Sequence, residues 1–197
     1  MSLPNGVLSS VPVPGKFLPP DDQPFSLTQD WEKGGKAHQD PSMGIDYKDW
    51  TAWKDRTTGN IFVEPVDKAT SPILITNSPT ATHISLAFDR NMRLVVAWAT
   101  AGTSYLYWFD VTSNTYTTSI FPSTRNPRLT HDDKREMANV YSDVLFFYIA
   151  GDNIVVRTQR DRYTIPLILG PVGPTDILTR VGMTDQLRVQ IEVRDMA

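Results

Sequence analysis

Between residues 143 and 169 the chain switches between apolar and polar in short blocks. Residues 143–150 are almost continuously apolar and aromatic, and Gly151-Asp152-Asn153 is a turn cluster. Residues 154–158 form a β-branched run, Arg160-Asp161-Arg162 a charged turn, and residues 163–169 a further apolar run. This pattern predicts three antiparallel strands in a meander. The same rhythm precedes it: residues 84–88, 93–99, 104–110 and 116–121 are separated by Asp89-Arg90-Asn91, Ala101-Gly102 and Thr112-Ser113-Asn114. That predicts a four-stranded up-and-down sheet. Near the end, Leu187, Val189, Ile191 and Val193 alternate with Arg188, Gln190, Glu192 and Arg194, a period of two. With residues 176–181 it predicts a hairpin across Gly182-Met183-Thr184-Asp185, beyond a break at residues 170–174.

The two meanders invite comparison. Leu94-Val95-Val96 and Ile154-Val155-Val156 stand sixty residues apart, each following an apolar strand and a short turn. A repeat of this length suits propeller blades. Two blades do not close a ring, so the alternatives are two sheets packed as a sandwich or a pair of blades completed by other subunits. Generic resemblance between any two meanders is a competing explanation.

The first part of the chain is different. Residues 1–40 show no sustained periodicity, and Pro4, Pro12, Pro14, Pro19, Pro20 and Pro24 punctuate them. Proline fixes φ and removes a donor, which favours extended conformations. Isolated large residues (Phe17, Leu18, Phe25, Leu27 and Trp31) suit an arm that docks on a neighbouring surface; a tail with incidental hydrophobes is the alternative. Residues 50–54 and 61–66 flank Thr57-Thr58-Gly59-Asn60 and predict a hairpin, with a short helix over 47–54 as competitor. Residues 73–75 form a short β-branched run. Residues 123–141 are polar and predicted as mostly loop, with one helical turn possible at 132–137.

The fold class expected is therefore all-β, with antiparallel meanders packed as a sandwich or as propeller-blade-like sheets and an extended proline-rich N-terminal arm. The expected boundaries are 1–45 for the arm, 46–80 for a hairpin and linker, and 81–197 for a β domain with two blade-like meanders.

Composition sharpens this division. Ten of the fifteen prolines lie before residue 81, as do six of the seven lysines, whereas eleven of the twelve arginines lie after it. The net charge of −3 resides in the first part. Without a basic footprint, nothing points to nucleic acid or an anionic membrane. There is no cysteine, which removes disulfides, thiolate metal sites and thiol nucleophiles. The N-terminus has no basic region before an apolar core and does not read as a signal peptide. No apolar run reaches bilayer-spanning length.

Candidate chemistry is sparse. His38, His83 and His131 lack metal-ligand spacing, and His131-Asp132-Asp133 reads as a solvated loop rather than a cation site. Neither a nucleophile elbow nor a phosphate loop is present. No catalytic, cofactor-binding or metal-binding residue is therefore expected. Trp50 and Trp53 offer flat faces for a sugar, although burial in a hydrophobic cluster is favoured. Arg157, Arg160 and Arg162 could clamp an anion, but ion pairs within or between subunits are the favoured use.

The stretches PRLTHDDKR from Pro127, SDVLFFYIAGDNIVVRTQRDRYTIPLIL from Ser142, and ILTRVGMTDQLRVQIEV from Ile177 resemble a family of tailed-bacteriophage virion proteins. HISLAFDRNMRLVVAWATAGTSYLYWFD, from His83, is similar to the same proteins. The resemblance implies a structural part of the tail or head–tail apparatus, in the virion and assembled in the host cytoplasm, with no catalytic residues. The expected partners are copies of itself and other virion tail proteins, with no nucleic acid and no membrane. The expected assembly is a symmetric ring or sleeve, with Phe17, Phe25, Trp31, Trp50 and Trp53 as anchors and Arg160 and Arg162 as polar contributors. The alternative is a receptor- or glycan-binding module or a fibre-attachment adaptor at the tail.

Overall fold

A glycine at positive φ turns the chain back on itself at the centre of three successive sheets, where an L side chain would be strained. The structure is a computed structural model describing residues 25–26, 33–38, 49–66, 70–89, 93–131, 144–183 and 189–196. All described regular structure is β, and every strand pairing is antiparallel.

The first sheet contains β1 (Phe25–Ser26), β2 (Lys33–His38), β3 (Asp49–Lys54), β4 (Asn60–Pro65) and β5 (Ile73–Asn77), in that order. The second contains β6 (Thr82–Phe88), β7 (Leu94–Thr100), β8 (Thr103–Asp110) and β9 (Thr115–Pro122). The third contains β10 (Thr124–His131), β11 (Val144–Ala150), β12 (Asn153–Thr158) and β13 (Leu167–Pro171). The fourth contains β14 (Ile177–Met183) and β15 (Val189–Arg194). The central glycines are Gly59 (φ 74°), Gly102 (φ 75°) and Gly151 (φ 56°). Ala101 is also at positive φ, 47°, so Ala101-Gly102 has the two left-handed residues of a type I′ hairpin.

Successive sheets stack face to face, as the alternation of side chains along a strand requires when both faces are covered. Between the first and second sheets lie Ala52, Ile61, Val63, Ile84, Leu86, Phe88, Val96 and Trp98. Between the second and third lie Ala87, Val95, Ala97, Leu106, Trp108, Leu129, Phe146, Tyr148 and Val155. Phe147, Ile149, Ile154, Val156, Leu178 and Val181 fill the space between the third and fourth. Strand β6 lies against β2 on one side and β10 on the other, and β10 lies against β14. Strand β1 touches both β6 and β14. The leading strands therefore gather together, and β5, β9 and β13 form the far edges of their sheets. This is the blade-like arrangement.

Two devices repeat from sheet to sheet. In the first, the carbonyl of a residue in each central turn accepts the backbone N–H of a residue in the connector to the next sheet or at its first strand's start: Gly59 from Ser78 at 2.9 Å, Gly102 from Thr124 at 3.0 Å, and Asp152 from Val172 at 2.8 Å. The second is a one-residue bulge in the leading strand. The register passes from Lys33↔Trp53 to Lys36↔Thr51, from Thr82↔Ala99 to Ser85↔Ala97, from Arg125↔Ile149 to Arg128↔Phe147, and from Leu178↔Val193 to Arg180↔Glu192. Each bulge bends its strand and increases the local twist.

These repeats correct the sixty-residue alignment. Leu94-Val95-Val96 lies on the second strand of its sheet and Ile154-Val155-Val156 on the third strand of the next. The equivalent strands are β7 with β11 and β8 with β12. The predicted hairpin at 50–66 is present as β3 and β4, and 73–75 belongs to β5, so the region read as hairpin and linker supplies three strands of a sheet. The polar stretch predicted as loop contains β10, whose side chains Thr124, Asn126, Arg128 and Thr130 are buried between neighbouring sheets. The last strand of the third sheet begins at Leu167 rather than residue 163 and continues through Gly170 and Pro171. Tyr163 instead turns at φ 58° and packs beneath Trp108, ring centroids 5.1 Å apart. The expected helical turn at 132–137 lies outside the described residues.

Candidate functional site

Phe17 and Trp31 lie outside the described residues, and for Phe25 only its backbone place in β1 is described. Trp50 and Trp53 are both on β3. A separation of three sends them to opposite faces of a strand. Trp50 points toward the second sheet and meets the edge of Phe88, centroids 5.6 Å apart. Trp53 packs on Phe62 at 4.9 Å. The two indoles therefore do not make one platform. Both indole N–H groups are shielded from solvent without a hydrogen-bond acceptor among the described residues.

The arginine cluster is divided. Strand β12 ends at Thr158, so Arg160 and Arg162 lie in the following turn. Arg157 donates through Nε to the Tyr148 hydroxyl at 2.6 Å and through Nη1 to the carbonyls of Tyr163 at 2.8 Å and Thr164 at 2.6 Å. It also lies over the Phe121 ring. It thus pins the turn against the sheet. Arg162 reaches the second sheet and pairs with Asp110 at 2.5 Å. Burial pushes the Asp110 carboxyl up, but the Thr112 amide, Arg162 and Ser113 outweigh it and hold the group below its ordinary value. Arg160 is exposed. The arginines do not converge on one anion.

A polar centre that the sequence reading did not identify lies on the leading strands. His83 on β6 and Asn126 on β10 occupy the bulges of successive sheets, each with φ 53°. In the neutral ring, Nε2 of His83 can accept from Nδ2 of Asn126 at 3.1 Å. Burial and the neighbouring Arg128 charge push the imidazole down to about 4. Arg128 is 1% exposed. Its Nη1 donates to the Pro127 carbonyl at 2.8 Å and its Nε to the Thr179 carbonyl on β14 at 3.4 Å, while Nη2 has no hydrogen-bond partner among the described residues. Burial pushes the guanidinium down to about 9. The cluster joins three leading strands. Its only advance signal was a set of polar residues in a segment too short of apolar periodicity to read as a strand.

The far edges provide the other feature. Ile73 and Leu74 on β5, Tyr116 and Ile120 on β9, and Leu167, Ile168 and Leu169 on β13 are exposed, as is Ile165 just before β13. None of these three strands contains a charged residue. Edge strands of monomeric proteins usually carry charges or other devices that block further pairing. The signal was present in the sequence: residues 69–82, 111–124 and 163–175 are uncharged, and each contains one of the three edges. The described fold thus offers uncharged edges, aliphatic at β5 and β13, with no further strand paired to them among the described residues.

Among the described residues no cluster of His, Cys, Asp or Glu could hold a metal ion, and no helix is long and apolar enough to cross a membrane. No family model, curated protein or solved structure matches the chain.

Proposed function

We propose that this chain is a non-enzymatic structural subunit of a bacteriophage virion tail that assembles with copies of itself into a symmetric ring or sleeve. The observation that carries the assembly part is the uncharged character of β5, β9 and β13 at the far edges of three sheets, with exposed aliphatic side chains on β5 and β13. Each fully buried Leu or Ile contributes about 1.5–3 kcal/mol relative to exposure. A few such residues with edge hydrogen bonds make a productive contact. The tail assignment is supported by the resemblance of residues 83–110, 127–135, 142–169 and 177–193 to tail and head–tail proteins. The structural role is supported by the use of the polar groups. Arg157 and Arg162 tie turns to sheets, Arg125 holds the carbonyls of Gly151, Gly173 and Pro174, and Lys54 holds those of Pro79 and Ala81.

The glycan-binding alternative draws no support from Trp50 and Trp53, which lie on opposite faces of β3. The test is light scattering after size-exclusion chromatography of the full chain, with electron microscopy of the product. The expected result is a discrete symmetric multimer. A monomer at the highest concentration attainable overturns the reading.

A further inference from the structure

Strands β5 and β13 belong to sheets on opposite sides of the second sheet, because the first and second cores lie on its two faces. Each is the last strand of its sheet, so one row of backbone donors and acceptors has no strand beside it among the described residues. Such a row is a template for a further strand. On β13, Leu167 and Ile168 are 60% and 65% exposed, and Ile165 just before it is 64% exposed. On β5, Leu74 is 55% exposed, with Ile73 beside it. Strand β9 is less suited. Five of its eight residues are threonine, serine or tyrosine, and Tyr116 is committed to stacking on Tyr107 and accepting the Leu94 amide.

The geometry points to a head-to-tail contact in which β13 of one copy pairs antiparallel with β5 of the next, making the third sheet of one subunit continuous with the first sheet of its neighbour. The inference rests on the self-assembly reading and names the surface that accomplishes it. The occupant is a second copy for three reasons. The surface demands an extended, uncharged, aliphatic strand, and β5 is one. The two edges belong to sheets on opposite faces of the second sheet, so each subunit offers both halves of the contact. A contact between two different surfaces also generates rings where the rotation closes. Pro72 before β5 and Pro171 at the end of β13 limit the paired length, since proline supplies no donor.

The chain contains no cysteine, so introduced thiols report only the chosen positions. Opposed residues in an antiparallel pair have Cα atoms about 4.5–5.5 Å apart, within the roughly 4.4–6.8 Å span of a disulfide. Mild oxidation of the full chain carrying both Leu74→Cys and Ile168→Cys is expected to give a ladder of covalent multimers. A mixture of the two single variants is expected to give a covalent dimer, and neither single variant alone to cross-link. Independently, Ile168→Lys and Leu74→Lys are each expected to weaken association at least tenfold, with the circular-dichroism melt of the dissociated subunit unchanged because both sites are exposed. Cross-linking by Ile168→Cys alone means that β13 pairs with itself and overturns the head-to-tail contact. If the wild-type chain is multimeric and neither lysine weakens it, the surface is wrong while the assembly reading stands. A monomeric wild-type chain overturns both.

Discussion

The side chains of His83 and Asn126 meet at 3.1 Å from equivalent bulges in the leading strands of two successive sheets, each residue at φ 53°. Burial and the adjacent Arg128 charge favour the neutral imidazole, and its pKa falls from 6.5 to about 4. Between those values the unfolded chain binds a proton that the folded chain does not. Stability is therefore full above about pH 6.5 and falls as pH drops toward 4, by about 3 kcal/mol over the whole window. Urea unfolding at pH 4 to 7 measures this. The His83→Asn variant keeps a residue tolerant of positive φ and should lose this part of the slope. An identical slope in the variant would assign the acid sensitivity to other groups.

Arg128 carries a buried charge with no carboxylate partner among the described residues, a costly arrangement. Arg128→Met keeps most of the side-chain length and removes the charge. It should raise stability by about 1–2 kcal/mol at pH 7, the benefit of losing an unpaired charge exceeding the lost donors to Pro127 and Thr179. Thermal and urea unfolding check this, and a clear loss of stability refutes it.

Gly59 and Gly102 make a controlled comparison. Both have φ near 75°, so alanine strains either. A Cβ at Gly59 would meet the Pro79 Cα at 2.6 Å, whereas one at Gly102 would meet nothing within 4 Å. Gly102→Ala should cost about 1 kcal/mol and Gly59→Ala distinctly more, about 2–3 kcal/mol. Equal costs would show that backbone conformation alone matters at Gly59. In the same hairpin, Ala101→Asn installs the Asn-Gly pair preferred by a type I′ turn and should raise stability by about 0.5–1 kcal/mol.

Asp110 and Arg162 join the second and third sheets. Asp110 also accepts from the Thr112 amide and the Ser113 hydroxyl. Asp110→Ala should therefore destabilise more than Arg162→Ala, and a double-mutant cycle should show favourable coupling at low salt that weakens as salt is added. The carboxyl is held below its ordinary value, so its contribution is present above the unfolded pKa and is lost as pH falls through the folded one. Coupling near zero would remove the pair as a link between sheets.

The second sheet was legible because its strands alternate with two- to five-residue turns and its aromatics sit in strand positions. Strand β10 was hidden because the usual equation of polar with exposed fails there: Thr124, Asn126, Arg128 and Thr130 are buried beside other leading strands. The start of β13 was misplaced because Tyr163 has the composition of a strand residue but is held in a turn by packing under Trp108 and by Arg157 on its carbonyl. The true repeat is carried by bulges and turn carbonyls, backbone features that different side chains can produce. Trp50 and Trp53 looked like a pair in sequence and were separated by the simplest property of a strand. The edge aliphatics were visible as uncharged stretches, but their position at the edge depended on which strands paired.

The three links from turn carbonyls to the following connectors have a kinetic meaning as well. Each closes over a short stretch of chain and fixes the start of the next sheet only after the current hairpin has turned. Within each sheet every strand pairs with its neighbour in sequence, which favours rapid formation for a β topology. Such a chain behaves as a one-dimensional array in which each finished sheet templates its successor. Emerging N-terminus first during synthesis, it can order in the direction in which it is made. A defect at Gly59, Gly102 or Asp152 should then interrupt propagation beyond its own sheet, while sheets already formed remain intact.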